Sequence, residues 1–265
     1  MPHPSPRLLT IGGPTCSIEW RGIRFLIDPT FDPAGTIHRH GPVVLEKTIG
    51  PAVAASELGP IDVVLLTHDQ HADNLDDTGR TLLPSAGRVI TTVSGAERLG
   101  GSTEGLAPWS STTVATRDGG RIRVTATPAR HGPVGCEPMT GEVIGFLLED
   151  DDSGPDRDPT VLYLTGDTVW YEGVAEVAHR AEVTHALLFA GAARLEVAGP
   201  AHLTMTAEDV VATARALGRA LLIPVHHDGW AHFSEDRACV ARAIQAAGFG
   251  DRLRLVDHGR WTPLD

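Results

Sequence analysis

Ile61-Asp62-Val63-Val64-Leu65-Leu66-Thr67-His68-Asp69-Gln70-His71-Ala72-Asp73-Asn74 is the stretch that decides how the chain is read. An apolar run ends abruptly in His68, Asp69, His71 and Asp73, side chains that ligate metals or move protons. A short apolar run of this kind reads as a buried strand. The imidazoles and carboxylates that follow are then carried to the edge of a core. Desolvating them costs on the order of several kcal/mol unless something compensates. A divalent cation is the simplest compensation.

Further along the chain, three more apolar runs end the same way. Residues 122–127 lead through Pro128-Ala129-Arg130 to His131. Residues 161–164 lead through Thr165-Gly166 to Asp167, and residues 221–223 through Pro224-Val225 to His226 and His227. Gathered at one rim, these residues suit two closely spaced divalent ions, an arrangement that generates hydroxide near neutral pH. Neighbours on extended backbone point opposite ways, so only one of His226 and His227 faces the rim; we take His226.

The remaining strands are expected over 8–11, 16–20, 23–27, 61–66, 89–92, 143–148, 186–189 and 253–256. One helix begins at Thr206, with Asp209 three residues on and Val210, Ala214 and Leu217 on one face. A second begins at a Ser234 cap, turns Val240 and Ile244 inward and stops at Gly248. Shorter helices are expected after Asp73 and Tyr171, and the polar stretch 149–159 reads as a solvated hairpin loop. The order, hairpins followed by strand–helix units and then the same again, is a mixed α/β pattern.

Composition bounds the partners. The 265 residues carry a net charge of -12, which argues against a nucleic-acid partner and an anionic membrane surface. The cysteines Cys16, Cys136 and Cys239 follow no paired spacing, so no disulfide framework or cysteine zinc site is expected. With no targeting pattern at the N-terminus and no run long enough to span a bilayer, a cytoplasmic protein is expected, and composition identifies no substrate. Oligomeric state is left open.

Together the strand-end motifs resemble the metallo-β-lactamase superfamily. Its first motif, H-x-H-x-D-H after a buried strand, is matched here by the segment from Thr67 to Asn74. A lone histidine (His131), a Gly-Asp pair (Gly166-Asp167) and a terminal histidine (His226) follow in the family's order, and Leu26-Ile27-Asp28-Pro29 resembles its early aspartate turn. The first motif departs from the pattern. Aligned back from Asp73, His71 is the second histidine and Asn74 stands where the third would be. The first position falls on His68 or Asp69, with His68 preferred because imidazole suits zinc.

The resemblance implies a single domain over 1–265 with a four-layer αββα sandwich. It also implies a divalent metal, one or two zinc ions or else manganese or iron. His68, His71 and His131 are expected to hold one ion, and Asp73, Asp167 and His226 the other. Asp73 and His226 are the expected catalytic groups. His202, Trp230 and His232 are candidates for substrate binding. The implied activity is metal-dependent hydrolysis of an ester, lactone, amide or phosphodiester. The altered first motif keeps two alternatives open: a binding protein that has lost its chemistry, and a non-hydrolytic tailoring enzyme using the same metal rim.

Overall fold

The computed structural model describes residues 5–151 and 159–265. The chain opens with β1 (Arg7–Gly12), β2 (Thr15–Trp20) and β3 (Ile23–Ile27). The turn between β2 and β3 is Arg21-Gly22, both at positive φ (50° and 78°), the backbone that a tight two-residue hairpin demands. A small separate hairpin follows, β4 (Ile37–His40) and β5 (Val43–Glu46). The next strands are β6 (Val63–Leu65), β7 (Arg88–Thr92) and β8 (Thr103–Leu106). A second series runs β9 (Ser111–Ala115), β10 (Arg121–Pro128), β11 (Ile144–Asp150), β12 (Val161–Leu164), β13 (His185–Phe189) and β14 (Leu221–Val225), before β15 (Trp261–Pro263) closes the chain.

Among the described residues these strands form two large sheets and the hairpin. The first sheet is ordered β15-β1-β2-β3-β6-β7-β8 and the second β14-β13-β12-β11-β10-β9. β3, β6, β7 and β8 run parallel, as do β12, β13 and β14. Parallel pairs need crossovers, and these carry the helices α1 (Asp77–Leu82), α2 (Val93–Leu99), α4 (Glu172–Arg180) and α5 (Ala207–Ala216), in a set completed by α3 (Glu137–Thr140) and α6 (Arg237–Ala246).

Alternation along each strand decides what packs where. Phe25, Ile27 and Leu65 from the first sheet and Val124, Phe146, Leu164 and Phe189 from the second meet in one fully buried cluster between the sheets. The opposite face of the second sheet offers Tyr163, Leu188 and Leu222 to Val174 and Val177 of α4, Val210 and Ala214 of α5, and Val240 and Ile244 of α6. The outer face of the first sheet packs Leu26, Val64 and Leu66 against Phe31 and Leu75, with Leu82 of α1 and Leu99 of α2 at the margin. The result is the expected four-layer αββα sandwich.

Most expected elements are present, with local corrections. Thr206 caps α5 through a reciprocal capping box with Asp209. α6, however, is capped by Asp236, which accepts from the Cys239 amide at 2.8 Å; Ser234 instead donates to the Ala192 carbonyl at 2.6 Å. The expected strand over 253–256 reduces to one parallel bridge, Leu253 to Leu222. β4, β8, β9, β15 and α2 give no clear apolar period because they lie at sheet edges or on the surface. β11 and β12 pair antiparallel as expected, but residues 152–158 of the loop expected between them lie outside the described residues. No helix among the described residues is long and apolar enough to cross a membrane.

Phe146 fills the space between the sheets with no exposed surface. Phe146→Ala is expected to lower unfolding free energy by about 3–5 kcal/mol in urea denaturation. A loss under about 1 kcal/mol would contradict this packing.

Candidate metal centre

The ends of β3, β6, β10, β12 and β14 deliver Asp28, His68, His131, Asp167 and His226 to one rim of the sandwich. The backbone there is unusual. Asp28 (φ 40°) and His226 (φ 55°) both adopt the left-handed region, which non-glycine residues enter at a cost. Such positions persist where surrounding structure over-determines them, often at functional sites. The Gly166 that precedes Asp167 has φ 63°, and a Cβ there would lie 2.6 Å from the Ile144 carbonyl oxygen, so the sharp turn into Asp167 requires glycine.

Three imidazoles converge. His68 Nε2 lies 2.9 Å from His71 Nδ1, and His131 Nε2 lies 3.2 Å from the same atom. Nitrogen ligands around a tetrahedral zinc stand about 3.3 Å apart, so the spacing suits a shared cation. The other ring atoms are already committed. His131 Nδ1 donates to the Leu203 carbonyl at 2.7 Å. Thr67 Oγ1 gives its proton to Asp28 Oδ2 at 2.8 Å and so accepts from His68 Nδ1 at 3.1 Å. His71 hydrogen-bonds the Met139 backbone. These contacts fix the tautomers and leave unprotonated nitrogens facing one another, an arrangement that a cation satisfies. Burial first, and then the neighbouring His131, holds the His71 pKa down to about 4; burial and His71 lower that of His68.

Beside them stands an acidic group. Asp73, Asp167 and His226 place one donor atom each within 4.8 Å of one another, as do His68, His71 and His131. His226 Nδ1 is 2.9 Å from Asp167 Oδ1, and its Nε2 is 3.4 Å from Asp73 Oδ2. Neither contact has hydrogen-bond geometry, so both ring nitrogens, together with Asp167 Oδ2, are buried without a hydrogen-bonded partner. Orphaned buried polar atoms of this kind fit a cation as partner. Asp167 Oδ2 also lies 3.4 Å from His131 Nε2, so this one carboxylate reaches both groups. Behind them burial pushes the Asp28 carboxyl up to about 7, against the hydrogen bonds from Thr67 and Asn74.

The residues that the sequence left ambiguous separate cleanly. Asp69 turns away into an ion pair with Arg98 at 2.5 Å, while His68 points inward. Asn74 donates to Asp28 Oδ2 at 3.1 Å and approaches Asp167 Oδ1 at 3.4 Å. His227 turns away from the rim toward Asp228, 3.7 Å off. His232 Nε2 sits 2.9 Å from Asp73 Oδ2. Trp230 is buried beneath the Lys47 ammonium, 5.2 Å from its ring. His202 is half-buried, with Nδ1 3.4 Å from the Ala192 carbonyl oxygen. The supporting roles of Leu203 and Met139 carry no sequence signal, because both act through the backbone.

A cleft of about 520 Å³ opens beside His71. Ile37, Val43 and Leu45 of the β4–β5 hairpin line it, together with Pro138 and Met139. The hairpin is tied down by a buried ion pair, Lys47 Nζ to Asp76 Oδ2 at 3.0 Å.

Fold and site together define a class. The family model described as beta-lactamase superfamily domain matches residues 23–227, and the chain belongs to that superfamily. It is similar to the UPF0173 protein YddR of Bacillus subtilis (strain 168), at 24% identity over 255 residues covering 92% of this chain and 94% of the relative. Two solved structures share the fold. The "isothiocyanate hydrolase from Delia radicum gut bacteria" superposes with TM-score 0.81 at 21% identity, covering 97% of this chain and 99% of that one. A "possible metal-dependent hydrolase" from Veillonella parvula superposes with TM-score 0.83 at 19% identity, covering 98% and 100%.

The two groups differ in protonation. Burial alone would lower the His226 pKa, but Asp167 and Asp73 push it above the ordinary histidine value of 6.5. The stability this gives the metal-free chain is fully present below about pH 6.5 and is lost as pH rises through the raised value. Cation binding needs the neutral ring. His71 is already neutral near pH 7, whereas His226 must give up a proton. Loading the acidic group near pH 7 is therefore expected to release about one proton. Calorimetric titration in two buffers of different ionisation enthalpy measures this, and a buffer-independent heat would contradict it.

Proposed function

We propose that the chain binds two divalent cations and hydrolyses a small-molecule ester, lactone, amide or phosphodiester. His68, His71 and His131 hold one ion, and Asp73, Asp167 and His226 hold the other, with Asp167 between them. The observation that carries this reading is the pair of three-residue donor groups linked by the Asp167 carboxylate, 2.9 Å from His226 and 3.4 Å from His131. Three imidazoles favour zinc, and the oxygen-richer second group suits zinc, manganese or iron. Ions held by these residues would supply Lewis acidity and bring the pKa of a held water near neutrality.

The chain's own residues do the rest. Leu203, Thr67 and Met139 keep the three imidazoles aimed at a common point, so the donors need no rearrangement to bind. Asp73 or a nearby imidazole, with His226 3.4 Å from Asp73 Oδ2, would take the proton that the attacking water gives up and return it to the leaving group. The cleft beside His71 receives the substrate, its apolar part against Ile37, Val43 and Met139, and Arg39 and Arg80 line the same cleft. Its size suits a small molecule.

His131→Ala and Asp167→Ala are each expected to lower hydrolysis of a generic ester by more than about 100-fold and to reduce bound metal. Chelation should abolish turnover, and zinc or manganese should restore it. In labelled water the label should enter the product. Full activity in either variant, or unlabelled product, would defeat the reading.

A further inference from the structure

His232 touches the acidic group from outside it. Its Nε2 lies 2.9 Å from Asp73 Oδ2, and the ring is nearly buried, its side chain 7% exposed. The ring is wedged beside Phe233 (centroids 4.6 Å) and Trp230 (6.3 Å). Its backbone is tied on both sides. The Trp230 backbone bridges Lys47, and the Phe233 backbone bridges Ala193. The Ala231 amide donates to the Glu46 carbonyl at 3.0 Å, and the His232 carbonyl accepts from the Arg194 amide at 2.9 Å. A side chain so constrained loses little further entropy in holding one geometry.

Asp73 needs such a partner. Asn74, which stands where the family pattern has a further histidine, turns toward Asp28 at 3.1 Å and so lends nothing to Asp73. Among the described residues, only His226 and His232 are recorded within salt-bridge reach of the Asp73 carboxylate, and His226 belongs to the donor group itself.

We infer that His232 is a positioning residue that fixes the Asp73 carboxylate, so that full affinity of the acidic cation site depends on it. The inference rests on the paired-site reading above and extends it to a residue outside both donor groups. The contact uses a proton on Nε2 as donor. An amide placed at similar reach supplies the same donor, whereas a phenyl ring of similar size does not.

The test is titration of metal-free wild type, His232→Phe and His232→Gln with cobalt(II), read from visible absorption and from competition with a chromophoric chelator. Wild type should take up two equivalents. His232→Phe should keep the first, which also shows that it folds, and bind the second about 10–100-fold more weakly. His232→Gln should lie closer to wild type than His232→Phe. The inference is overturned if His232→Phe binds the second equivalent as tightly as wild type, if it loses both equivalents, or if the Gln variant is as weak as the Phe variant. Uptake of fewer than two equivalents by wild type would instead defeat the paired-site reading, and the inference with it.

Discussion

Three carboxylates, Asp28, Asp73 and Asp167, are buried at one rim of a two-sheet core, each no more than 4% exposed. Much of the architecture at that rim serves to make this tolerable. Isolated buried carboxylates are too expensive to keep ionised, so each must be neutralised, hydrogen-bonded or set against a cation. Asp28 is met by the Thr67 amide and hydroxyl and by Asn74. Asp73 and Asp167 flank His226, which holds a proton in the metal-free chain because of them. The same carboxylates that favour a proton there favour a divalent cation more, since it carries twice the charge and bonds several donors at once.

The two sheets make this convergence possible without long loops. Asp28 and His226 follow directly on strand ends, and His68, His131 and Asp167 lie three residues beyond theirs, so their Cα positions are set closely by backbone ladders buried in the core. The strain at Asp28 and His226 is the local cost of turning side chains inward immediately after a strand. Strain of this kind, on the order of 1–3 kcal/mol at each position, is tolerable because the ladders on either side resist relaxation, which also keeps the donor atoms pre-aimed.

Much of this was legible in the sequence. Apolar runs ending in His or Asp marked the strand ends, since a buried strand is apolar for its whole length and its end is where polar side chains first become possible. The same logic failed at the sheet edges and on the surface. β4 reads Ile37-His38-Arg39-His40, with mostly exposed side chains, and no period distinguishes it from a loop. The Ser234 cap was misplaced by two residues because Ser234 and Asp236 are equally good caps, and the choice was made by a distant contact, Ser234 to Ala192. The choice between His68 and Asp69 likewise needed Arg98, 29 residues on, to draw Asp69 out of the rim. In each case the missing information is a tertiary partner, which local pattern does not encode.

Asn74 shows how a single departure from the motif is absorbed. A histidine there would bring another nitrogen donor to the rim. The asparagine amide instead bonds Asp28 and leans toward Asp167 Oδ1, so it stabilises carboxylates that a cation would otherwise have to offset alone. Its Oδ1 remains buried and unpaired. The two donor groups are thereby made unequal. One is three imidazoles, each locked from behind by Thr67, Leu203 or the Met139 backbone. The other is two carboxylates and one imidazole, whose geometry depends on charge contacts within the group and on residues outside it. Because the second group would bind only after losing a proton, while burial already keeps His68 and His71 of the first neutral, the two respond differently to pH, and the imidazole group is the one that would keep an ion to lower pH.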